Sequence, residues 1–260
     1  MKKKSNKFKI GIIIISILFL ITLAAYFLVP PTSNYFDIES NVVYLIMSAT
    51  PVFFIFLTFK IFNLKSLEGK TWFLLFLGFL GWFIGDLLWV IFDFAGLDPF
   101  PSIADIFYLA AYIPLFMALV FEYNLLKSAV SLKNKLIAGI IILAITGVVV
   151  YTVLIDMIIY ADYRFIEKFV SAAYPIGDLV IVFFALIVML TFGKAKASKS
   201  WLFIGLGLII ISIADTLFAY LEWNEIFTFI YTAMDIIFVA GFLLVALGAY
   251  YHRLIIRGEA

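Results

Sequence analysis

The sequence predicts an all-α integral membrane protein that crosses the bilayer eight times. Of its 260 residues, 66% are hydrophobic and only 13% are charged, whereas soluble domains are roughly half apolar. Apolar runs near the ~20 residues that span a bilayer recur along the whole chain. Basic residues are concentrated in alternate connections between these runs. We therefore expect a single membrane domain over residues 1–260, embedded in the lipid bilayer.

Eight apolar segments separated by turn residues define the predicted spans. Pro30-Pro31, Pro99, Pro101 and Asn224 fall between segments, where chain-breaking residues mark turns. The first segment has an apolar run of about 20 residues, longer than the ~7–15 of a signal peptide, so it is interpreted as a membrane anchor. The predicted spans are 10–29, 41–62, 71–94, 102–121, 136–158, 165–192, 200–223 and 226–250.

The charge distribution predicts that both termini are cytoplasmic in the cell membrane. With the N-terminus inside, only Arg164 and Lys168 fall outside. Such an excess of inner basic residues follows the positive-inside rule, and seven or nine spans would remove it. Sixteen basic residues then lie inside: Lys2, Lys3, Lys4, Lys7, Lys9, Lys60, Lys65, Lys70, Lys127, Lys133, Lys135, Lys194, Lys196, Lys199, Arg253 and Arg257.

Composition excludes several kinds of site. The chain has no cysteine and one histidine, His252, which we assign to the C-terminal tail. Zinc sites, disulfides, thiol nucleophiles and Ser-His-Asp triads are therefore not expected in the membrane core. The net charge of +1 gives no indication of nucleic-acid binding. Trp72, Trp201 and Trp223 lie at span ends, where tryptophan typically anchors a helix at the interface.

Five aspartates lie inside the predicted spans and are the candidate functional residues: Asp86, Asp105, Asp178, Asp215 and Asp235. A charged carboxylate at mid-bilayer costs ~2.5 kcal/mol or more. We expect these side chains to face one another, water or a bound cation, in an acidic cavity in the outer half of the membrane. Because carboxylate oxygens suit Mg²⁺, Ca²⁺ or Mn²⁺, a divalent cation is the candidate cofactor, with Asp86, Asp215 and Asp235 as candidate ligands.

Aromatic side chains share helix faces with these aspartates. Trp89 follows Asp86 by three positions, Tyr108 and Tyr112 follow Asp105 by three and seven, and Tyr174 precedes Asp178 by four. Residues three or four apart lie on one helix face. Aromatic faces beside carboxylates can hold an organic cation. Alternatively, the tyrosine hydroxyls hydrogen-bond the buried aspartates.

An internal duplication is predicted, with halves at about residues 1–130 and 131–260. Asp86 and Asp93 are seven apart, as are Asp215 and Glu222, and Asp105 and Asp235 follow at similar distances. The second and sixth spans share the segments 48–51 and 171–175, each running from Ser to Pro. With four spans per half, the halves would be parallel, related by an axis along the membrane normal.

Several segments resemble the N-terminal membrane regions of bacterial signalling proteins that precede diguanylate cyclase, phosphodiesterase or kinase modules. The segments are Gly85-Asp-Leu-Leu-Trp89, Asp98-Pro-Phe-Pro-Ser-Ile-Ala-Asp105 with its continuation to Tyr112, Ala173-Tyr-Pro-Ile-Gly-Asp178, and Ala214-Asp215. The resemblance implies a membrane sensor. Since these 260 residues carry no output domain, a separate signalling protein is the expected partner.

A second resemblance is to eight-helix membrane hydrolases of the lysoplasmalogenase type. Gly81-Trp-Phe-Ile-Gly-Asp86 and Ile213-Ala-Asp215 are similar to their aspartate segments. That kinship would make Asp86 and Asp215 catalytic, but tyrosines stand where those enzymes often carry a histidine. We therefore expect a sensor or ligand-binding module for a cation or a small cationic or polar ligand, rather than an enzyme. A lipid hydrolase and a cation- or proton-coupled transporter are the alternatives.

Overall fold

A computed structural model describes residues 6–28, 36–155, 157, 164–191, 196–223 and 229–259. Side chains at 36–37, 196–198, 222–223 and 229–232 lie outside this description, so the predicted interfacial role of Trp223 stays a prediction. The described residues contain eight helices long and apolar enough to cross a membrane, which confirms the predicted fold class. The helices are α1 (Lys7–Leu28), α2 (Phe36–Phe59), α3 (Leu67–Phe94), α4 (Ile103–Leu126), α5 (Leu132–Val149), α6 (Phe165–Thr191), α7 (Lys196–Trp223) and α8 (Phe229–Ile256).

Serine side chains begin three of the helices. Ser66, Ser102 and Ser131 accept hydrogen bonds from the first-turn amides of α3, α4 and α5, amides that have no partner within the helix. The end of α5 continues as a π-helical turn, Val150–Leu154. With the π-helical turn counted as part of α5, the observed helix ends differ from the predicted span ends by up to six residues, because polar first and last turns lie outside the apolar runs.

Six helices close a ring, and two lie outside it. Around the ring, α2 packs on α3, α3 on α4, α4 on α6, α6 on α7, α7 on α8, and α8 on α2. Outside the ring, α1 packs mainly on α8, and α5 packs mainly on α6. The start of α1 and the end of α8 meet, since Lys7 Nζ lies 2.9 Å from a carboxylate oxygen of Glu259. We call this end of the bundle the basic end and the opposite end the acidic end.

Matching contacts recur in the two halves at a nearly constant offset. An added Cβ at Gly78 of α3 would overlap Leu115 Cγ of α4, and one at Gly207 of α7 would lie 2.6 Å from Val245 Cγ2 of α8. Gly78 and Gly207 are 129 positions apart, and Leu115 and Val245 are 130 apart. Glycine thus lets α3 approach α4 as closely as α7 approaches α8. The duplication predicts this correspondence, and superposition of the halves stays a prediction.

The ring is filled on its basic side by side chains from α3 and α7. Trp72, Leu75, Phe79 and Trp82 recur on α3 at alternating spacings of three and four, which puts them on one face. All are buried in one cluster with their counterparts on α7, namely Trp201, Ile204, Leu208 and Ile211. We call these eight residues the hydrophobic plug.

Two expectations about aromatic residues were wrong. Trp72 and Trp201 are not interfacial anchors, because both are only 1% exposed and their ring centroids lie 5.9 Å apart inside the plug. His252 is not in a tail but in α8, with its ring 4.8 Å from that of Trp72. Packing around the ring of helices buries both tryptophans near the helix ends, which hydropathy alone does not reveal.

Candidate functional site

The next position of the plug stripe on each helix is an aspartate. Asp86 follows Trp82 by four residues on α3, and Asp215 follows Ile211 by four on α7. At a rise of ~1.5 Å per residue, Asp86 lies about 21 Å along the helix from Trp72 and about 12 Å from the acidic-end terminus of α3. The carboxylates therefore lie on the acidic-end side of the plug, inside the ring.

Asp86 is held by a tyrosine that rests on the preceding glycine. Tyr108 of α4 donates its hydroxyl hydrogen to Asp86 Oδ1 at 2.9 Å. An added Cβ at Gly85 would lie 2.6 Å from Tyr108 Cε1, so the ring needs a glycine there. Asp86 is buried beside Ser48 of α2, and its Oδ2 has no hydrogen-bond partner in the described part of the chain.

Asp178 on α6 repeats this arrangement. Tyr112 of α4 donates to Asp178 Oδ1 at 2.8 Å, and Ser212 of α7 donates to the same oxygen at 3.2 Å. A Cβ at Gly177 would lie 2.7 Å from Tyr112 Cδ1. As with Asp86, the carboxyl is buried, and its Oδ2 lacks a partner among the residues described. In each Gly-Asp dipeptide, the glycine thus leaves room for a tyrosine ring, and the aspartate accepts a hydrogen bond from the hydroxyl of that ring.

Asp105 combines a capping role with a contact to the site. Its Oδ2 accepts from the backbone N–H of Ser102 at 2.7 Å, while the Ser102 hydroxyl accepts from Ala104 N–H at 3.1 Å. This is a capping box at the start of α4, and it gives Ser102 and Asp105 of the Pro-Ser-x-Ala-Asp segment a structural role. The other oxygen of Asp105 accepts from the Tyr174 hydroxyl of α6 at 2.6 Å.

Asp235 and Asp215 occupy less buried positions. The hydroxyl of Tyr26 on α1 donates to Asp235 Oδ2 at 3.1 Å. Asp215 is half-buried, and no hydroxyl or amide among the described residues donates to it. The repeat supplies two reasons: the counterpart of Tyr108 is Phe238, which has no hydroxyl, and the counterpart of Gly85 is Ala214, whose Cβ takes the space that the Tyr108 ring uses.

The five aspartates form one electrostatically connected group. Asp215 interacts with Asp86 and Asp178, and Asp86 interacts with Asp235. Tyr174 joins Asp105 to the group, because it donates to Asp105 and also lies within electrostatic range of Asp178 and Asp215. We call the set the aspartate–tyrosine network; it consists of Asp86, Asp105, Asp178, Asp215, Asp235, Tyr26, Tyr44, Tyr108, Tyr112 and Tyr174.

Two predictions about the site remain, one for Trp89 and one for a divalent cofactor. Trp89 contacts Phe218 of α7 edge-on, with centroids 5.9 Å apart, and so links α3 to α7 beside the network. No group of three or more His, Cys, Asp or Glu side chains in the described ranges is arranged to hold a metal ion. A divalent cofactor at Asp86, Asp215 and Asp235 therefore stays a prediction, and tyrosine hydroxyls are the observed neighbours of four aspartates.

Sequence reasoning missed several buried polar residues. Tyr26 and Tyr44 belong to spans that carry no aspartate, so local spacing could not connect them to the network. Tyr44 lies close to Asp86, Asp215 and Asp235. Glu122 is a buried acidic residue near the basic end of α4. Glu122 follows Leu115 by seven residues, a spacing that places both on one face of α4. Because Leu115 is buried, Glu122 is directed inward as well.

Comparison of the chain with protein-family models, with curated proteins and with solved structures finds no match. The resemblances to signalling-protein membrane regions and to lysoplasmalogenase-type hydrolases thus stay predictions.

Proposed function

We propose that this protein is a membrane-embedded ligand-binding module of the sensor type, whose aspartate–tyrosine network binds a proton or a small cation. The observation that carries the proposal is Asp215, a half-buried carboxyl that accepts no hydrogen bond from the described residues and that interacts electrostatically with the buried Asp86 and Asp178. In the described part of the chain the ion pairs Lys7–Glu259 and Arg164–Glu167 lie at helix ends and involve none of the network.

Electrostatics favour a bound positive charge. Two carboxylates ~7 Å apart repel by about 2 kcal/mol at an effective dielectric constant of ~20. Tyrosine and serine hydroxyls can stabilise one charged carboxylate each but cannot cancel repulsion among several. A shared proton or a cation near Asp215 would remove this repulsion and would give Asp86 Oδ2 and Asp178 Oδ2 a partner.

The hydrophobic plug favours sensing over transport. Four layers of buried apolar side chains separate the network from the basic end of the bundle. A ligand that reaches the network from the acidic end therefore meets only apolar side chains of the plug on its way toward the basic end. Binding would instead change how α3, α4, α6 and α7 pack around the ring, which a partner signalling protein could detect.

A cation- or proton-coupled transporter is the second candidate, favoured by the matching contacts of the two halves. Transporters often place their site at the interface of structural repeats and alternate access by moving one repeat against the other. In this chain such movement would have to separate Trp72 from Trp201 and open the plug.

The experiment is cation-dependent thermal stability of purified protein. We expect Na⁺, Mg²⁺, Ca²⁺, Mn²⁺ or an organic amine to raise the Tm of wild type, since a ligand that binds only the folded state stabilises by ~2.7 kcal/mol at a hundredfold excess over its Kd. Asp86→Asn with Asp215→Asn keeps the shapes and removes the charges, so the rise should vanish. Asp93→Asn is the matched control, because Asp93 lies seven residues beyond Asp86, exposed on the same helix.

If no cation separates wild type from the double variant, infrared difference spectroscopy decides whether a proton is bound. A protonated-carboxyl band that Asp215→Asn removes supports the proton, whereas its absence, together with unchanged Tm values, would overturn the proposal.

A further inference from the structure

Two seams join the halves of the ring, and one is covered by a helix. At the α2–α8 seam, Ile15, Leu18 and Phe19 of α1 pack against the buried Val239 and Leu243. Close approach continues toward the basic end, where a Cβ at Gly11 of α1 would lie 2.5 Å from Tyr250 Cε1. This seam is thus sealed by a transmembrane helix in the same chain.

The other seam, between α4 and α6, is open. By the repeat, α5 is the counterpart of α1, yet α5 packs on α6 and the π-helical turn rather than on α4. Ile113, the counterpart of Leu243, is 64% exposed, whereas Leu243 is 2% exposed. An apolar groove of about 190 Å³ results, lined by Tyr112, Ile113, Phe116, Ile176, Gly177 and Val180.

The outer face of α5 is apolar and free of contacts with the described part of the same chain, so it is available to pack against another helix. Leu136, Ile140 and Leu143 share one face and are 57%, 67% and 72% exposed. A Cβ at Gly139 or Gly147 would meet nothing within 4 Å. Exposed glycines on a transmembrane helix permit close approach of a neighbouring backbone.

We propose that a second copy of this chain covers the open seam, with its α5 lying along the groove between α4 and α6. The position would reproduce what α1 does at the α2–α8 seam. A two-fold axis along the membrane normal makes the contact reciprocal: each copy contributes α5 and receives the partner's α5. The groove volume is enough for one or two side chains of α5 to insert.

Single-cysteine crosslinking tests the dimer, since the native chain has no cysteine. Ile113→Cys and Leu143→Cys are placed in separate, differently tagged chains and co-expressed, so a disulfide between them joins two copies. Ile113 lies ten residues from the acidic-end start of α4 and Leu143 eleven from the basic-end start of α5. At ~1.5 Å per residue both are near mid-membrane. Ile17→Cys, ten residues into α1 and exposed to a similar extent, replaces Ile113→Cys as the matched control.

We expect oxidation in native membranes to give a product of twice the 29.5 kDa chain mass, several-fold above the Ile17→Cys control. Val180→Trp, which fills the groove, should lower the yield to the control level while leaving the monomer folded by its Tm. Crosslinking no higher than the control, or a monomer in lipid nanodiscs whose groove holds lipid or a foreign helix, would overturn the proposal.

Discussion

Replacing Gly177 by alanine should break the contact that orients Tyr112 toward Asp178. The new Cβ would lie 2.7 Å, 2.8 Å and 2.9 Å from three carbons of the Tyr112 ring. The ring cannot retreat freely, because its other side meets Trp82 edge-on with centroids 5.7 Å apart. Either α6 moves away from α4 or the ring rotates, and both changes lengthen the 2.8 Å hydrogen bond to Asp178.

The expected cost is about 2 kcal/mol in the free energy of unfolding. Inserting one methyl into a well-packed contact costs ~1–3 kcal/mol, and an interhelical hydrogen bond in a membrane contributes ~0.6–1.7 kcal/mol. Alanine has a higher helix propensity than glycine, which offsets up to ~1 kcal/mol of this destabilisation. The sum lies between roughly 0.6 and 4.7 kcal/mol destabilising.

Reversible unfolding in mixed micelles titrated with dodecyl sulfate measures this difference. Gly139→Ala on α5 is the matched control, because no described atom of the same chain lies within 4 Å of its added Cβ, and in monomeric micelles it should be neutral or slightly stabilising. In a Tyr112→Ala background the clash disappears, so Gly177→Ala should cost nothing further. Equal costs in both backgrounds, or a variant as stable as wild type, would show that Tyr112 does not rest on Gly177.

Three further predictions concern other parts of the bundle. Gly207→Leu should destabilise by more than ~2 kcal/mol in the same titration, because its Cβ would lie 2.6 Å from Val245 Cγ2 and 2.7 Å from the Gly241 carbonyl oxygen. An impermeant maleimide should label Asp98→Cys in intact cells and Lys65→Cys only after lysis; the reverse pattern would refute cytoplasmic termini. The hydrogen bond from Lys7 lowers the pKa of Glu259. The contribution of this contact to stability is therefore present above the ordinary glutamate pKa of ~4.3, and it is lost as pH falls through the lower pKa of the folded state. Amide protection in the second turn of α1, whose N–H groups bond back to the first turn, should accordingly fall on acidification in wild type, and in Glu259→Gln it should be low at every pH.

Hydropathy was enough to predict the fold because each span must bury its own backbone hydrogen bonds in lipid, which makes span length and composition decisive. The same local reasoning singled out the five aspartates, since a carboxyl in an apolar run is conspicuous on its own. The spacing of Trp72, Leu75, Phe79, Trp82 and Asp86 also carried information about the plug. A stripe at alternating intervals of three and four residues is typical of a helix seam.

The sequence could not predict which tyrosine hydroxyl bonds which aspartate across the ring. Tyr112 follows Asp105 by seven residues, which suggested a shared face, yet its hydroxyl bonds Asp178 on α6. Tyr174 precedes Asp178 on its own helix and instead bonds Asp105 on α4. The two tyrosines thus cross over between α4 and α6, and only the packing of these helices determines which carboxyl each one reaches. The capping role of Asp105, in contrast, is visible in the sequence, because Ser102 and Asp105 have the spacing of a capping box.

The position of Asp86 and Asp215 at the end of the hydrophobic plug bears on the proposed function. A leucine at either site would continue the plug and would pack at no electrostatic cost. The two carboxyls therefore lower the stability of the bundle at a place where apolar packing could raise it. Tyr108 donates to Asp86, whereas its counterpart in the repeat, Phe238, has no hydroxyl, and Ala214 stands where Gly85 makes room for the Tyr108 ring. This difference between the halves favours Asp215 as the carboxyl that meets a ligand in the proposed site. Ala214→Gly together with Phe238→Tyr restores both features and should therefore lower the affinity for a bound cation, by supplying Asp215 with a hydroxyl donor. An unaltered cation response in this double variant would argue that Asp215 does not bind the ligand.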